Sequence, residues 1–210
     1  YLDPVVGREV EINNLMRVLS RRNKNNPILI GHPGVGKTAI TQLLAQLIVQ
    51  GKVPDSLKNS KIILLDFGAL VSGTKFRGQL EERLRTILDE LKDPNQGVIL
   101  FIDEIHTILT SERSTIDISS MLKPLLTGGD LRCIGSTTPE RFRESIEKDQ
   151  ALNNCFQKIF VNEPTLQVSS KILNGVKRKY EIHHGIKITK EAVEYLSLIH
   201  ISEPTRHLDI

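Results

Sequence analysis

The chain has 210 residues, a formal charge of +3 and 39% hydrophobic residues, enough for one packed domain or a domain with a fragment attached. Lys/Arg and Asp/Glu are interleaved rather than clustered, which argues against a nucleic-acid partner, and no apolar run approaches the ~20 residues of a membrane span. Two cysteines, Cys133 and Cys155, form no metal spacing and no disulfide framework, and no signal-peptide pattern opens the chain, so a reducing compartment is expected, the cytoplasm or an organelle stroma or matrix.

In chain order, Tyr1 stands where a Met would open a complete protein, and Leu2-Asp3-Pro4 reads as a linker, so the sequence is expected to be an excerpt. Ile12, Leu15, Met16 and Leu19 fall at helical spacing after Gly7. Pro27 opens a short buried strand, Ile28–Ile30, and a helix follows from Lys37 to about Gln50. The alternation repeats with strand Ile62–Leu65, a helix over about Gln79–Leu91, strand Val98–Ile102, a helix near Ile116–Leu126 and strand Leu131–Gly135. A helix after Pro139 and a strand at Ile159–Val161 close the series. Continuous apolar runs mark strands covered on both faces, and strands interleaved with helices predict a parallel, doubly wound α/β sheet over residues 1–163. From Thr165 to Tyr195 the pattern is purely helical, which predicts the start of a small all-helical subdomain over 164–195. Leu196–Arg206 reads LSLIHISEPTR, the in-frame translation of a transposon-based sequencing adapter, so residues 196–210 are set aside as a non-native tail.

Gly31-His32-Pro33-Gly34-Val35-Gly36-Lys37-Thr38 satisfies G-x-x-x-x-G-K-[ST], between a strand and a helix. Glycines let backbone N–H groups turn toward a phosphate, the helix start adds its positive end, Lys37 supplies charge to the β- and γ-phosphates, and the Thr38 hydroxyl is a Mg²⁺ ligand. Ala39 completes the expected nucleotide contacts. Val98–Ile102 then ends in Asp103-Glu104. Paired with a phosphate loop on the same sheet, Asp103 is expected to hold Mg²⁺ and Glu104 to act as general base toward the attacking water. In Ile134-Gly135-Ser136-Thr137-Thr138 a strand-end hydroxyl either meets the γ-phosphate and water or caps the helix that starts at Pro139. ATP and Mg²⁺ are thus the expected ligands, and Glu104 and Lys37 the expected catalytic residues, to which the resemblance below adds Thr138.

With these residues in place, the chain resembles the first AAA+ module of the Clp unfoldases, the ClpA/ClpB/ClpC group. The likeness runs from Leu2 to about Tyr195 through Leu2-Asp3-Pro4-Val5-Val6-Gly7-Arg8, Arg21-Arg22-Asn23-Lys24-Asn25-Asn26-Pro27, Phe101-Ile102-Asp103-Glu104-Ile105-His106-Thr107, Met121-Leu122-Lys123-Pro124 and Ile146-Glu147-Lys148-Asp149. It implies a P-loop AAA+ fold and an ATP-driven protein unfoldase or chaperone. Such a protein forms a hexameric ring with itself or paralogues, threads unfolded polypeptide through its pore, and in some members serves a Clp-type peptidase. It further implies that Val5 and Val6 lie against adenine, that Thr138 is a sensor, and that Lys75-Phe76-Arg77-Gly78 is the pore loop. Gly73-Thr74-Lys75 and Gly135-Ser136-Thr137-Thr138 lean toward the peptidase-coupled ClpA and ClpC types.

Two departures stand out. Where the family places two arginines that reach the neighbouring subunit's nucleotide, this chain has Asn154-Cys155, and Thr110–Ser120 lacks the glycines of a second pore loop. The expectation is a subunit that binds ATP and keeps its own carboxylates yet cannot activate its neighbour, unless Arg141 or Arg143 substitutes. The rival reading is a nucleotide-dependent assembly scaffold with little hydrolysis. A small-molecule kinase is disfavoured, because no acceptor site is recognisable.

Overall fold

The computed structural model describes residues 7–67, 77–91, 97–109, 118–129 and 131–202. Its framework is a five-stranded sheet of β1 (Asn26–Ile30), β2 (Lys61–Leu64), β3 (Val98–Ile102), β4 (Arg132–Thr137) and β5 (Phe156–Phe160). The order is β2-β3-β4-β1-β5, with every pairing parallel. Between the strands run α1 (Glu9–Leu19), α2 (Lys37–Val49), α3 (Arg77–Leu91), the short α4 (His106–Leu109), α5 (Ile118–Gly128), the single turn α6 (Pro139–Arg141) and α7 (Gln150–Cys155).

Alternation along each strand divides the core into two. Ile28, Ile30, Leu100, Ile102 and Cys133 face Leu84 and Leu88 of α3, Leu122 and Leu126 of α5, and Phe142 and Leu152. Leu29, Ile99, Phe101 and Ile134 face the other way, onto Leu15 and Leu19 of α1 and Ile40 and Leu44 of α2. This two-sided burial is what the unbroken apolar runs of β1 and β3 require.

β2 differs from expectation. It holds an edge position, and Ile63 and Leu64 are 42% and 57% exposed, because a strand with one neighbour lacks cover that a central strand has. β4 also runs two residues past the expected Gly135, so Ser136 and Thr137 belong to the strand and are fully buried.

Residues 10–162 form one compact unit, and residues 163–202 group with residues 7–9 in a second. In the second unit, α8 (Leu166–His184) is capped by Thr165, whose hydroxyl accepts from Val168 N, and closes on Gly185 at φ 64°. Glu181 Oε1 accepts from Ile188 N at 2.9 Å, tying α8 to the segment before α9 (Lys190–Ser202). α9 therefore includes residues 196–202 of the stretch set aside from the sequence. Among the described residues no helix is long and apolar enough to cross a membrane.

Candidate functional site

The phosphate loop leaves β1 at Gly31, whose N–H donates to Thr137 O at 3.2 Å. A Cβ on Gly31 would lie 2.4 Å from Val161 O, so the backbone approach there admits only glycine. Gly36, at φ 97°, takes the left-handed turn from which α2 starts. Val35 is buried in the α1/α2 core and anchors the loop, whereas His32, Pro33, Gly34 and Thr38 are exposed. Ala39, one residue into α2 beyond Thr38, is half-buried.

Lys37 is buried, and its ammonium donates to Gly31 O at 2.7 Å and His32 O at 3.0 Å. A cation whose hydrogen-bond partners among the described residues are two neutral carbonyls of its own loop is placed to exchange them for phosphate oxygens, which carry charge.

The acidic pair lies two strands away, about 10 Å at ordinary strand spacing, with β4 between. Thr38 leans out of the first turn of α2 and brings its Oγ1 to 3.0 Å from Asp103 Oδ2, to which it donates. The β3–β4 register sets Ile102 beside Gly135, hence Asp103 beside Ser136. The Ser136 hydroxyl donates to Asp103 Oδ1, which also accepts from Glu104 N at 3.1 Å. Asp103 is thereby held with one oxygen turned toward Thr38. These two hard oxygen donors suit Mg²⁺.

Glu104 adopts φ 49°, a left-handed conformation uncommon outside glycine, and its side chain is about half exposed at 47%. Its Oε2 lies 3.4 Å from His106 Nε2, while His106 Nδ1 lies 3.0 Å from Thr137 Oγ1. Burial lowers the His106 pKa below its ordinary value; the Glu104 carboxylate pulls it back only in part, and Arg141 adds to the lowering.

Thr138 caps α6, accepting from Arg141 N at 3.3 Å, so the helix-cap role is realised. Val5, Val6, Lys75, Phe76 and residues 110–117 lie outside the described residues; Arg77 and Gly78 form the first turn of α3.

Asn154 is exposed on α7. Cys155 is buried; its Sγ donates to Leu152 O at 3.1 Å and burial pushes the thiol up to about 11, an inert cysteine. Together with Arg22 and Lys24 they border a cavity of ≈ 450 Å³. Phe156 is level with Asn26 in the β1–β5 register, whereas the phosphate loop follows Ile30, so the length of β1, about 17 Å, separates this pair from the chain's own phosphate site. Arg141 sits at the phosphate end, paired with Glu144 at 3.1 Å. It therefore stands at the opposite end of the sheet from residues 154 and 155.

Sequence reasoning singled out neither Ser136 nor His106. The only signals were a hydroxyl cluster at a strand end and a histidine two residues beyond Glu104.

The family model described as "ATPase family associated with various cellular activities (AAA)" matches residues 27–163, and the AAA lid domain model matches residues 165–202. Chaperone protein ClpB 2 of Parasynechococcus marenigrum is 60% identical over 193 residues, covering 92% of this chain and 21% of its own length. Chaperone protein ClpB 1 of a Nostoc species is 50% identical over 195 residues, covering 91% of this chain and 22% of its own. Among solved structures, closed-state Hsp104 with ATPγS and FITC casein superposes with a TM-score of 0.86 at 44% identity, over 94% of this chain and 34% of that one. The S. cerevisiae Hsp104–ADP complex gives 0.85 at 45% identity, over 92% and 33%. The chain thus spans about a fifth of the length of these curated relatives. They carry the ClpB and Hsp104 names rather than the ClpA and ClpC types toward which the Gly73–Lys75 and Gly135–Thr138 strings lean.

Proposed function

The chain belongs to the AAA family of ATPases, and from that premise we propose that it binds and hydrolyses ATP as one module of a ClpB-type chaperone ring that draws polypeptide through its pore. The observation that carries the ATPase part is the convergence, at the C-terminal ends of three adjacent strands, of Lys37 and Thr38 after β1, Asp103 after β3 and Ser136 on β4.

In this reading Thr38 Oγ1 and Asp103 Oδ2 hold Mg²⁺, which supplies neutralising charge. Lys37 leaves the Gly31 and His32 carbonyls for the β- and γ-phosphate oxygens. Glu104, half exposed beside the loop, takes a proton from the attacking water as its oxygen bonds to the γ-phosphorus and the β–γ bridging oxygen departs with ADP. Thr138 meets the γ-phosphate with the hydroxyl that caps α6, and Val5 and Val6 lie against adenine. The partners proposed are further copies of the chain or paralogues in a hexamer and an unfolded polypeptide gripped by Lys75-Phe76-Arg77-Gly78. The solved complexes of Hsp104 with casein support the polypeptide, and the likeness to ClpB and Hsp104 favours a disaggregase over a peptidase-coupled machine. Residues 196–210 are inferred to be a non-native tail, although the lid model and α9 run on to residue 202, and resequencing of the source locus tests this.

The deciding experiment compares ATP turnover and fluorescent-ATP binding for the chain and Glu104→Gln. Retained binding with turnover lowered about 10²–10⁴-fold is the expected result. Equal turnover in the variant overturns Glu104 as base, and binding without turnover in both proteins points to the assembly scaffold.

A further inference from the structure

Three features outside the nucleotide contacts invite a function: the cavity beside Arg22, Lys24 and Asn154, the exposed Ile63 and Leu64 on edge strand β2, and the part-buried imidazole beside Glu104. The third is built most completely, from the fully buried Thr137, the part-buried His106 and one carboxylate in a defined chain of contacts.

The chemistry of the partners fixes the direction of that chain. Glu104 Oε2, 3.4 Å from His106 Nε2, is a carboxylate oxygen that can only accept, so the proton of the neutral ring belongs on Nε2. Nδ1 is then a bare lone pair, and the Thr137 hydroxyl at 3.0 Å must donate to it. Thr137 is fully buried in β4, its carbonyl accepts from Gly31 N, and its neighbour Ser136 holds Asp103. Consecutive residues of β4 thus reach both carboxylates: Ser136 holds Asp103 by a hydrogen bond, and Thr137 holds His106, whose Nε2 lies 3.4 Å from Glu104 Oε2. Glu104 makes this contact from a left-handed backbone at φ 49°, with its side chain still 47% exposed.

We propose that His106 is a positioning residue for ATP hydrolysis, with Thr137 donating to Nδ1 so that Nε2–H orients the Glu104 carboxylate. This rests on the reading of Glu104 as general base. A base orienter of this kind fixes the tautomer and the aim of the group that takes the proton without touching substrate itself.

The test has two arms. The first measures kcat, KM and fluorescent-ATP affinity for His106→Ala, His106→Gln, Thr137→Val and the pair His106→Ala/Thr137→Val, beside Glu104→Gln. His106→Ala is expected to lower kcat about ten- to a hundredfold with affinity unchanged, the scale of a misplaced reacting group. His106→Gln, which keeps an N–H donor near Nε2, should recover part of the loss, and the pair should be no slower than His106→Ala alone. Wild-type kcat in His106→Ala, with Glu104→Gln inactive, overturns the proposal while leaving the base in place. Wild-type kcat in Glu104→Gln overturns the base reading itself. A parallel loss of ATP affinity and thermal stability in His106→Ala, not eased by Gln, assigns the residue to packing and also overturns it. The second arm needs no turnover: imidazole ¹⁵N shifts at about pH 7.5 are expected to show His106 neutral with the proton on Nε2, and a shifted tautomer balance in Thr137→Val. A proton on Nδ1 in the unmutated chain overturns the proposal.

Discussion

Thr38 Oγ1 lies 3.0 Å from Asp103 Oδ2, although the strands that deliver them are separated by β4. The contact closes the phosphate loop onto the acidic strand end and depends on Ser136, which fixes the second oxygen of Asp103. In the proposed reading it marks where Mg²⁺ would be held.

The affinity of the chain for ATP should accordingly depend on Mg²⁺ through these two residues. Thr38→Val and Asp103→Asn are each expected to remove most of the gain in affinity that Mg²⁺ confers, about tenfold or ~1.4 kcal/mol, while binding without Mg²⁺ changes little. Fluorescent-ATP titrations with and without Mg²⁺ check this; a full Mg²⁺ effect in both variants contradicts the assignment.

Restoring charge at the altered positions should separate the two residues. Asn154 is exposed and tolerates a long side chain, whereas Cys155 is 8% exposed and packs into the core. Asn154→Arg is expected to raise turnover of an assembled ring, by up to about 10³-fold, at unchanged stability. Cys155→Arg should instead destabilise the domain by about 1–3 kcal/mol through overpacking. Turnover against protein concentration, with thermal melts of both variants, decides.

Asn26 is the buried polar clamp of the sheet. Its Nδ2 donates to Leu126 O at 3.3 Å and its Oδ1 accepts from Cys133 N at 2.8 Å, joining the starts of β1 and β4 to the end of α5. Asn26→Ala leaves both partners buried without it and is expected to cost about 2–5 kcal/mol. A denaturant midpoint unchanged from the parent chain would contradict that.

His106 also predicts a pH dependence. Burial lowers its folded pKa below the ordinary 6.5, so as pH falls through 6.5 the unfolded chain takes up a proton before the folded one does. The stability contribution of the neutral ring is present above that value and is lost as pH falls toward the lowered folded pKa. Asp149, held below its ordinary 3.8 first by the Lys123 ammonium at 2.6 Å, acts in a separate and lower window. Urea midpoints between about pH 7.5 and about pH 5 should fall for the parent chain and fall less for His106→Gln. Parallel slopes would remove His106 as the cause.

Much of this was legible before any fold was known. The unbroken apolar runs at Ile28–Ile30 and Val98–Ile102 could be satisfied only by strands covered on both faces, and the glycine spacing from Gly31 to Gly36 had one economical use, a backbone cradle for phosphate. Asp103 and Glu104 stood out as candidates from the end of a buried strand paired with that cradle. Local chemistry decides such features, because period, chirality and steric size act within a few residues. The exposure of Ile63 and Leu64 was not legible, since an edge position depends on which strands pair. Nor was the place of β4 between β1 and β3, which sets Ser136 on Asp103 and Thr137 on His106 from more than thirty residues away in sequence. The order of strands in a sheet is a property of the whole chain packing its two cores, and only the tertiary structure decided it.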